Sequence, residues 1–173
     1  MIPYPDLTTY RGLSQSQIDW LLRAGVTIEA MVRPDAILVA HGRKADDGRF
    51  EDDGAGLPWL VFPEPEDIIF WQPRTGELST WNGRSFALGE AAIDDATTYA
   101  FDAWLNIYAD PLDWLRAGRD GCVILDWSRA FDRLRYAPRL AVAESILLQF
   151  RRAMKPPRMP KVAVISNPER AAA

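Results

Sequence analysis

The feature of this sequence that most constrains its fold is a short strand with no polar face. The run Cys122-Val123-Ile124-Leu125 is apolar at every position and is followed by Asp126. A strand that is apolar on both faces is typical of the interior of a parallel sheet, covered by helices on two sides. The run therefore predicts a layered α/β unit in which residues 122–126 form the central strand.

The residues before this strand predict a β-α-β arrangement. Residues 104–108 form a strand-like run, and Asp110-Pro111 follows as a helix start, with an N-cap acceptor and a proline at the first helical position. Residues 112–117 then form a short helix that Gly118 ends. Two neighbouring parallel strands are expected from this pattern.

The residues after the strand predict two further helices and a last strand. Ser128 is expected to cap a short helix, Pro138 to open a longer one, and residues 161–165 to return as a strand. The apolar stripe of the longer helix recurs at spacings of three and four, at Leu140, Ala143, Leu147, Phe150 and Met154. Residues 104–165 thus read as a β-α-β-α-β unit.

The first half of the chain predicts a different architecture. Ser14 and Gln17 have the spacing of a capping box that opens a helix. Apolar runs separated by turn residues follow between 37 and 88, and Asn82-Gly83 is a strong hairpin signal. The predicted fold class is α+β: an antiparallel β-meander at 37–88 followed by a small three-layer β-α-β-α-β unit at 104–165, within a single domain of residues 1–173.

Composition places the chain among soluble globular proteins. Its apolar fraction is 48% and its charged fraction 25%. No apolar run reaches the ~20 residues needed to cross a bilayer, and the N-terminus lacks the pattern of a signal peptide. The single cysteine, Cys122, cannot form an intramolecular disulfide and favours a reducing compartment. We expect a cytoplasmic protein that does not contact a membrane, with Cys122 as a buried, inert thiol.

Asp126 is the first candidate for a catalytic residue. Ligands of parallel sheets sit beyond the carboxyl ends of the strands, and a carboxylate there can hold a divalent metal. Asp110 ends the neighbouring strand and is the second candidate. The alternative for Asp126 is that it caps the helix near Ser128 or pairs with an arginine, and the alternative for Asp110 is an N-cap.

Other catalytic motifs are absent from the sequence. It contains neither a G-x-x-x-x-G-K-[ST] loop nor a G-x-G-x-x-G segment after a strand. One histidine, His41, and one cysteine cannot build a His- or Cys-rich zinc site. We therefore expect no metal centre and no cofactor, and we expect His41 to be a structural or surface residue.

The charges are divided unevenly along the chain. Residues 1–110 carry 8 Lys and Arg against 18 Asp and Glu, whereas residues 111–173 carry 12 against 6. Such a split predicts either an anionic partner for the basic half or internal pairing of the two halves. The candidate binding residues for phosphate or an acidic protein surface are Arg129, Arg133, Arg135, Arg151, Arg152 and Lys155.

The aromatic residues of the predicted hairpins are a second binding candidate. Trp71 and Trp81 flank tight turns, and exposed rings in such places can stack on bases. The alternative is that both rings pack in the core.

One segment of the chain resembles known proteins. The run from Pro111 to Gly118, followed by residues 121–127, is similar to segments of uncharacterised proteins encoded by bacterial prophages and integrated elements, over about residues 70–165. The resemblance implies a setting in phage or mobile-element physiology and transfers no catalytic residue.

These observations predict a non-catalytic binding protein of a phage or mobile element. Its expected partner is nucleic acid or a protein that handles nucleic acid, in replication or counter-defence. The alternative is a metal-dependent hydrolase or nucleotide-processing enzyme centred on Asp126.

Overall fold

The computed structural model describes residues 5–156, which form two β-sheets with short helices. The first sheet has six strands: β1 (Arg11–Gly12), β2 (Leu38–Lys44), β3 (Phe50–Asp52), β4 (Leu57–Pro63), β5 (Ile68–Gln72) and β6 (Glu77–Thr80). All its strand pairs are antiparallel, in the order β1-β2-β4-β5-β6, with β3 also on β2. The predicted meander is confirmed up to residue 80.

Two helices precede the main strands of this sheet. They are α1 (Gln15–Arg23) and α2 (Ile28–Val32). The capping box of α1 is present as predicted: Ser14 accepts from the backbone N–H of Gln17, and the Gln17 side chain accepts from the backbone N–H of Ser14. Local sequence therefore sets the start of α1.

The second sheet is mixed and contains the apolar strand. Its strands are β7 (Ala87–Leu88), β8 (Leu105–Tyr108), β9 (Cys122–Ile124) and β10 (Leu140–Val142), in the order β10-β8-β9-β7. β8 is parallel to both β9 and β10, whereas β7 is antiparallel to β9. Val123 and Ile124 are 2% and 5% exposed, so the predicted interior strand is confirmed.

Short helices and 3₁₀ turns connect these strands. The helices are α3 (Ala91–Asp94), α4 (Pro111–Arg116), α5 (Ala130–Leu134) and α6 (Leu147–Ala153). The 3₁₀ segments in this half of the chain are Ala96–Asp102, Trp127–Arg129 and Glu144–Ile146. None of the helices in residues 5–156 is both long enough and apolar enough to traverse a bilayer.

Three sequence predictions about this region are corrected. Residues 87–88, assigned to the end of the meander, form β7 of the second sheet. The long helix expected from Pro138 is β10 followed by α6, because Leu140 and Val142 take places beside β8, whose open edge needs backbone partners. The 3₁₀ turn at Trp127–Arg129 is capped by Asp126 rather than Ser128. The predicted strand at 161–165 lies outside the described residues.

Two apolar clusters cover the two faces of the second sheet. One contains Val123 and Trp114 together with Leu60, Phe62 and Trp71 of the first sheet, and the rings of Phe62 and Trp114 meet edge to face at 5.6 Å. The other, on the far face, is formed by the buried residues Phe86, Ala87, Ile93, Leu105, Ile107, Cys122, Ile124, Ala130 and Leu134. The second sheet is therefore the middle of three layers, as predicted.

Candidate functional site

The two aspartates predicted at the carboxyl edge of the second sheet are both helix caps. Asp126 accepts hydrogen bonds from the backbone N–H of Ser128 at 3.0 Å and from Nε of Arg129 at 2.7 Å. Asp110 accepts from the backbone N–H groups of Leu112 at 2.8 Å and Asp113 at 3.1 Å. Each carboxylate thus has the structural role that the sequence offered as its alternative.

The surroundings of Asp126 stabilise its ionised form. Desolvation opposes ionisation, yet hydrogen bonds from Ser128 and Arg129 outweigh it and hold the pKa of Asp126 below its usual range. A cleft of about 380 Å³ beside it is lined by Lys44 and the hydroxyl residues Ser79, Thr80 and Ser85. Within residues 5–156, no three His, Cys, Asp or Glu side chains form a group that could hold a metal ion.

Three arginines of the predicted basic surface, Arg129, Arg133 and Arg135, are already paired. Arg129 pairs with Asp126, and Arg133 lies 2.6 Å from Glu90 and 3.7 Å from Asp94. Arg135 lies 3.8 Å from Asp132. Because Glu90 and Asp94 belong to the acidic half of the chain, part of the charge split is internal pairing.

The cations at the end of α6 are different. Arg151, Arg152 and Lys155 are all exposed, and none of them makes an ion pair with another residue of the described chain. Cations at the C-terminus of a helix stabilise the helix through its dipole, and this explains part of their placement. They are the members of the predicted basic set that remain available to an anionic partner.

The two tryptophans predicted as stacking residues are not equivalent. Trp71 is 3% exposed and packs on Trp20, with ring centroids 6.3 Å apart. It is a core residue, and its ring is closed to an incoming base. Trp81 is half-buried and lies 6.4 Å from the ring of Phe70.

Three exposed aromatic residues that the sequence reasoning missed lie in the loops that lead into β8 and β10. Phe101 is fully exposed, Tyr136 is 81% exposed and Trp104 is 54% exposed. Trp104 directly precedes β8, and Tyr136 lies four residues before β10. We call Phe101, Trp104 and Tyr136 the aromatic rim.

Arg139 ties the two loops of the aromatic rim together. Its guanidinium lies 2.7 Å from the Asp102 carboxylate and donates to the carbonyl oxygens of Tyr99 at 2.8 Å and Ala103 at 3.0 Å. The Arg139 carbonyl in turn accepts from the N–H of Leu105. The loops are therefore held by a hydrogen-bonded network.

The backbone that carries Phe101 is strained. Phe101 and Asp102 have φ values of 52° and 64°, in the left-handed region that non-glycine residues avoid. Each such residue costs about 1 kcal/mol or more, and this kind of strain clusters at functional sites. A fully exposed phenylalanine held in such a backbone has no explanation in the packing of the core.

A second surface feature surrounds the lone histidine. β1 and β3 both pair with the same edge of β2, and the gap between them is a cleft of about 480 Å³ lined by Tyr10, His41 and Asp52. The Tyr10 hydroxyl donates to Asp52 at 3.4 Å, and burial raises the pKa of both groups. His41 is an exposed residue, as expected.

Burial shifts the pKa of three ionisable side chains, Glu64, Arg119 and Cys122. Burial raises the pKa of Glu64 to about 7, against the hydrogen bond from the N–H of Gly89. Arg119 packs on the rings of Phe62 and Trp114, and burial lowers its pKa to about 10. Burial likewise raises the pKa of Cys122 to about 12, which makes it an inert thiol at neutral pH.

Comparison of the chain with protein-family models, curated proteins and solved structures finds no match.

Proposed function

We propose that this chain is a non-catalytic binding protein of a phage or mobile element, and that it contacts a protein of the nucleic-acid machinery through the aromatic rim. The observation that carries the proposal is the exposure of Phe101, Trp104 and Tyr136 on loops fixed by Arg139. The phage setting comes from the resemblance of residues 111–127, and the process would be replication or counter-defence.

The composition of the rim favours a protein partner. Tryptophan, tyrosine and arginine dominate the binding energy of protein interfaces. Here the guanidinium of Arg135 stacks on the Tyr136 ring at 4.7 Å, and Trp104 lies close along the chain to Phe101. Loops that are already ordered lose little entropy on binding, which raises affinity.

The charges near the rim also favour a protein over a phosphate backbone. Arg135 and Arg139 are neutralised by Asp132 and Asp102. Nucleic-acid affinity depends on free cations that displace counterions from phosphates. Aromatic burial, rather than net positive charge, is what this surface offers.

Site-specific crosslinking in the native host tests the proposal. A photoreactive phenylalanine analogue is placed at position 101, and at position 22 as a control, because Leu22 is also an exposed apolar residue but lies on α1. We expect position 101 to capture a protein that acts on nucleic acid and position 22 not to capture it. Capture of the same proteins at both positions, or none at 101, would contradict the proposal.

A second candidate is direct binding of nucleic acid through Arg151, Arg152 and Lys155. The observation that favours it is that these cations are exposed and lack ion pairs among residues 5–156. Fluorescence anisotropy with labelled DNA and RNA, between about 50 and about 200 mM salt, tests it. Replacing all three with Ala should flatten the salt slope by roughly one unit per lost contact, with Arg43→Ala as an exposed control. Absence of binding by the parent protein at low salt would eliminate this candidate.

The enzyme alternative has weaker support. For Asp126 to bind a metal, it would have to release Ser128 and Arg129 and gain carboxylate neighbours from elsewhere in the chain. Asp126→Asn is expected to weaken the helix cap. Any hydrolytic activity measured in the parent protein should be the same in this variant.

A further inference from the structure

A groove at the end of the first sheet is separate from the aromatic rim. It has a volume of about 370 Å³ and lies between α1 and the strands β4 and β5. Its walls are Trp20 and Leu21 of α1 and Pro58 and Leu60 of β4, and Gln17 and Arg74 stand at its polar rim. Small-molecule sites have volumes of about 300 Å³ upward and combine apolar walls with a few polar groups.

An unsatisfied hydrogen-bond donor lies behind the wall of this groove. Trp71 pairs across the strands with Leu60 and packs on Trp20, both of which line the groove. Its indole Nε1–H is buried and has no acceptor in residues 5–156. A buried donor without a partner costs about 1–3 kcal/mol, and buried tryptophan N–H groups usually find an acceptor.

The groove also has an unpaired positive charge at its mouth. Arg74 is exposed, and its guanidinium makes no ion pair or hydrogen bond within the described chain. Its backbone N–H donates to Oε1 of the buried Gln72, which fixes the turn that carries it. A planar guanidinium at this position suits a carboxylate or a phosphate.

We propose that this groove binds a small planar aromatic molecule with a carboxylate or phosphate group. The ring packs between Trp20 and Leu60, where its face meets an indole and an aliphatic side chain. The anionic group pairs with Arg74, and a ring seated on Trp20 and Leu60 changes the surroundings of the Trp71 indole that packs behind them. This site does not depend on the proposed function of the aromatic rim.

NMR of the full chain tests the proposal, because each tryptophan indole N–H gives its own signal in a ¹H–¹⁵N correlation spectrum. The Trp71 signal is assigned by its loss in Trp71→Phe, or by elimination among the other six tryptophans if that variant does not fold. The probes are AMP and indole-3-acetate, which separate a nucleotide from an aromatic carboxylate. Their neutral analogues are adenosine and tryptophol. We expect saturable movement of the Trp71 signal with at least one of the two anions, at a Kd below about 1 mM.

Two variants test the role of the charge. Arg74→Ala should weaken binding at least about fivefold, as expected for loss of a charge-assisted pair. Arg84→Ala, an exposed arginine in the loop before β7, should leave binding unchanged. The proposal is overturned if neither anion shifts Trp71, if the anion that binds does so no more tightly than its own neutral analogue, or if Arg74→Ala has no effect.

Discussion

The carboxylate of Asp67 organises the connection between the two sheets, although no sequence motif marks it. Asp67 is fully buried at the start of β5. Its Oδ1 accepts from the N–H groups of Ile68 at 2.8 Å and Asn82 at 2.9 Å, and its Oδ2 accepts from those of Arg84 at 2.7 Å and Ser85 at 3.2 Å. The chain enters β7 of the second sheet directly after this loop.

Asp67→Asn is expected to lower the free energy of unfolding by about 3 kcal/mol. The amide keeps one acceptor oxygen but turns an NH₂ group toward the N–H groups of Arg84 and Ser85. The buried Ser85 N–H then loses its acceptor, and the Arg84 N–H keeps only Oδ1 of Asn82 at 3.1 Å. Each hydrogen bond to a charged group contributes about 1.5–3 kcal/mol. The desolvation of a carboxylate, which Asn avoids, offsets part of this loss.

Urea denaturation followed by tryptophan fluorescence measures this change. Glu66→Gln is the matched control, because Glu66 is the exposed neighbour and surface changes usually stay within about 0.5 kcal/mol. The midpoint should fall in Asp67→Asn while the m-value stays constant. A loss below about 1 kcal/mol would refute the organising role of the carboxylate.

Two further stability predictions concern buried positions. The folded pKa of Glu64 is raised from 4.5 to about 7, so the parent protein loses stability as pH rises through this interval. Glu64→Gln should remove that loss, and its free energy of unfolding should gain about 3 kcal/mol relative to the parent between about pH 4 and about pH 8. Equal pH profiles of the two proteins in urea titrations would contradict this prediction. Gly121 has a φ of 101°, and a Cβ there would lie 2.2 Å from the carbonyl oxygen of Asn106. Gly121→Ala should therefore lower the thermal midpoint far more than Gly76→Ala, because Gly76 also has a positive φ but open space around it. Equal shifts of the thermal midpoint in the two variants would contradict the packing of β8 on β9.

The parts of the fold that could be predicted are those that local residues determine. Cys122 to Ile124 are apolar at every position, and Asp110-Pro111 defines a helix start within two residues, so β9 and α4 follow from the sequence. The prediction of one helix from Leu140 to Met154 is wrong, because the segment forms β10 and α6. Its apolar residues fit a helical period, but short apolar runs do not distinguish strand from helix, and pairing with β8 decided the outcome.

The candidate site was less predictable because exposure is a property of the tertiary fold. The sequence placed Asp126 at the end of a strand, but whether its carboxylate is free or hydrogen-bonded depends on Ser128 and Arg129. Trp71 and Trp104 are the same residue type, but Trp71 is buried in the core and Trp104 is about half exposed. The left-handed backbone at Phe101 carries no local signal, since glycine or asparagine is the usual residue there.

We expect Phe101 to serve binding rather than folding, and Phe101→Gly separates these two roles. Glycine relieves the left-handed strain at position 101 and removes no buried contact. The thermal midpoint of Phe101→Gly should therefore be at least as high as that of Phe101→Ala, which keeps the strain. Affinity for the partner captured at position 101, measured by calorimetry, should fall at least tenfold (about 1.4 kcal/mol) in both variants. Unchanged affinity in the two variants would contradict the account, as would a large loss of stability in Phe101→Gly.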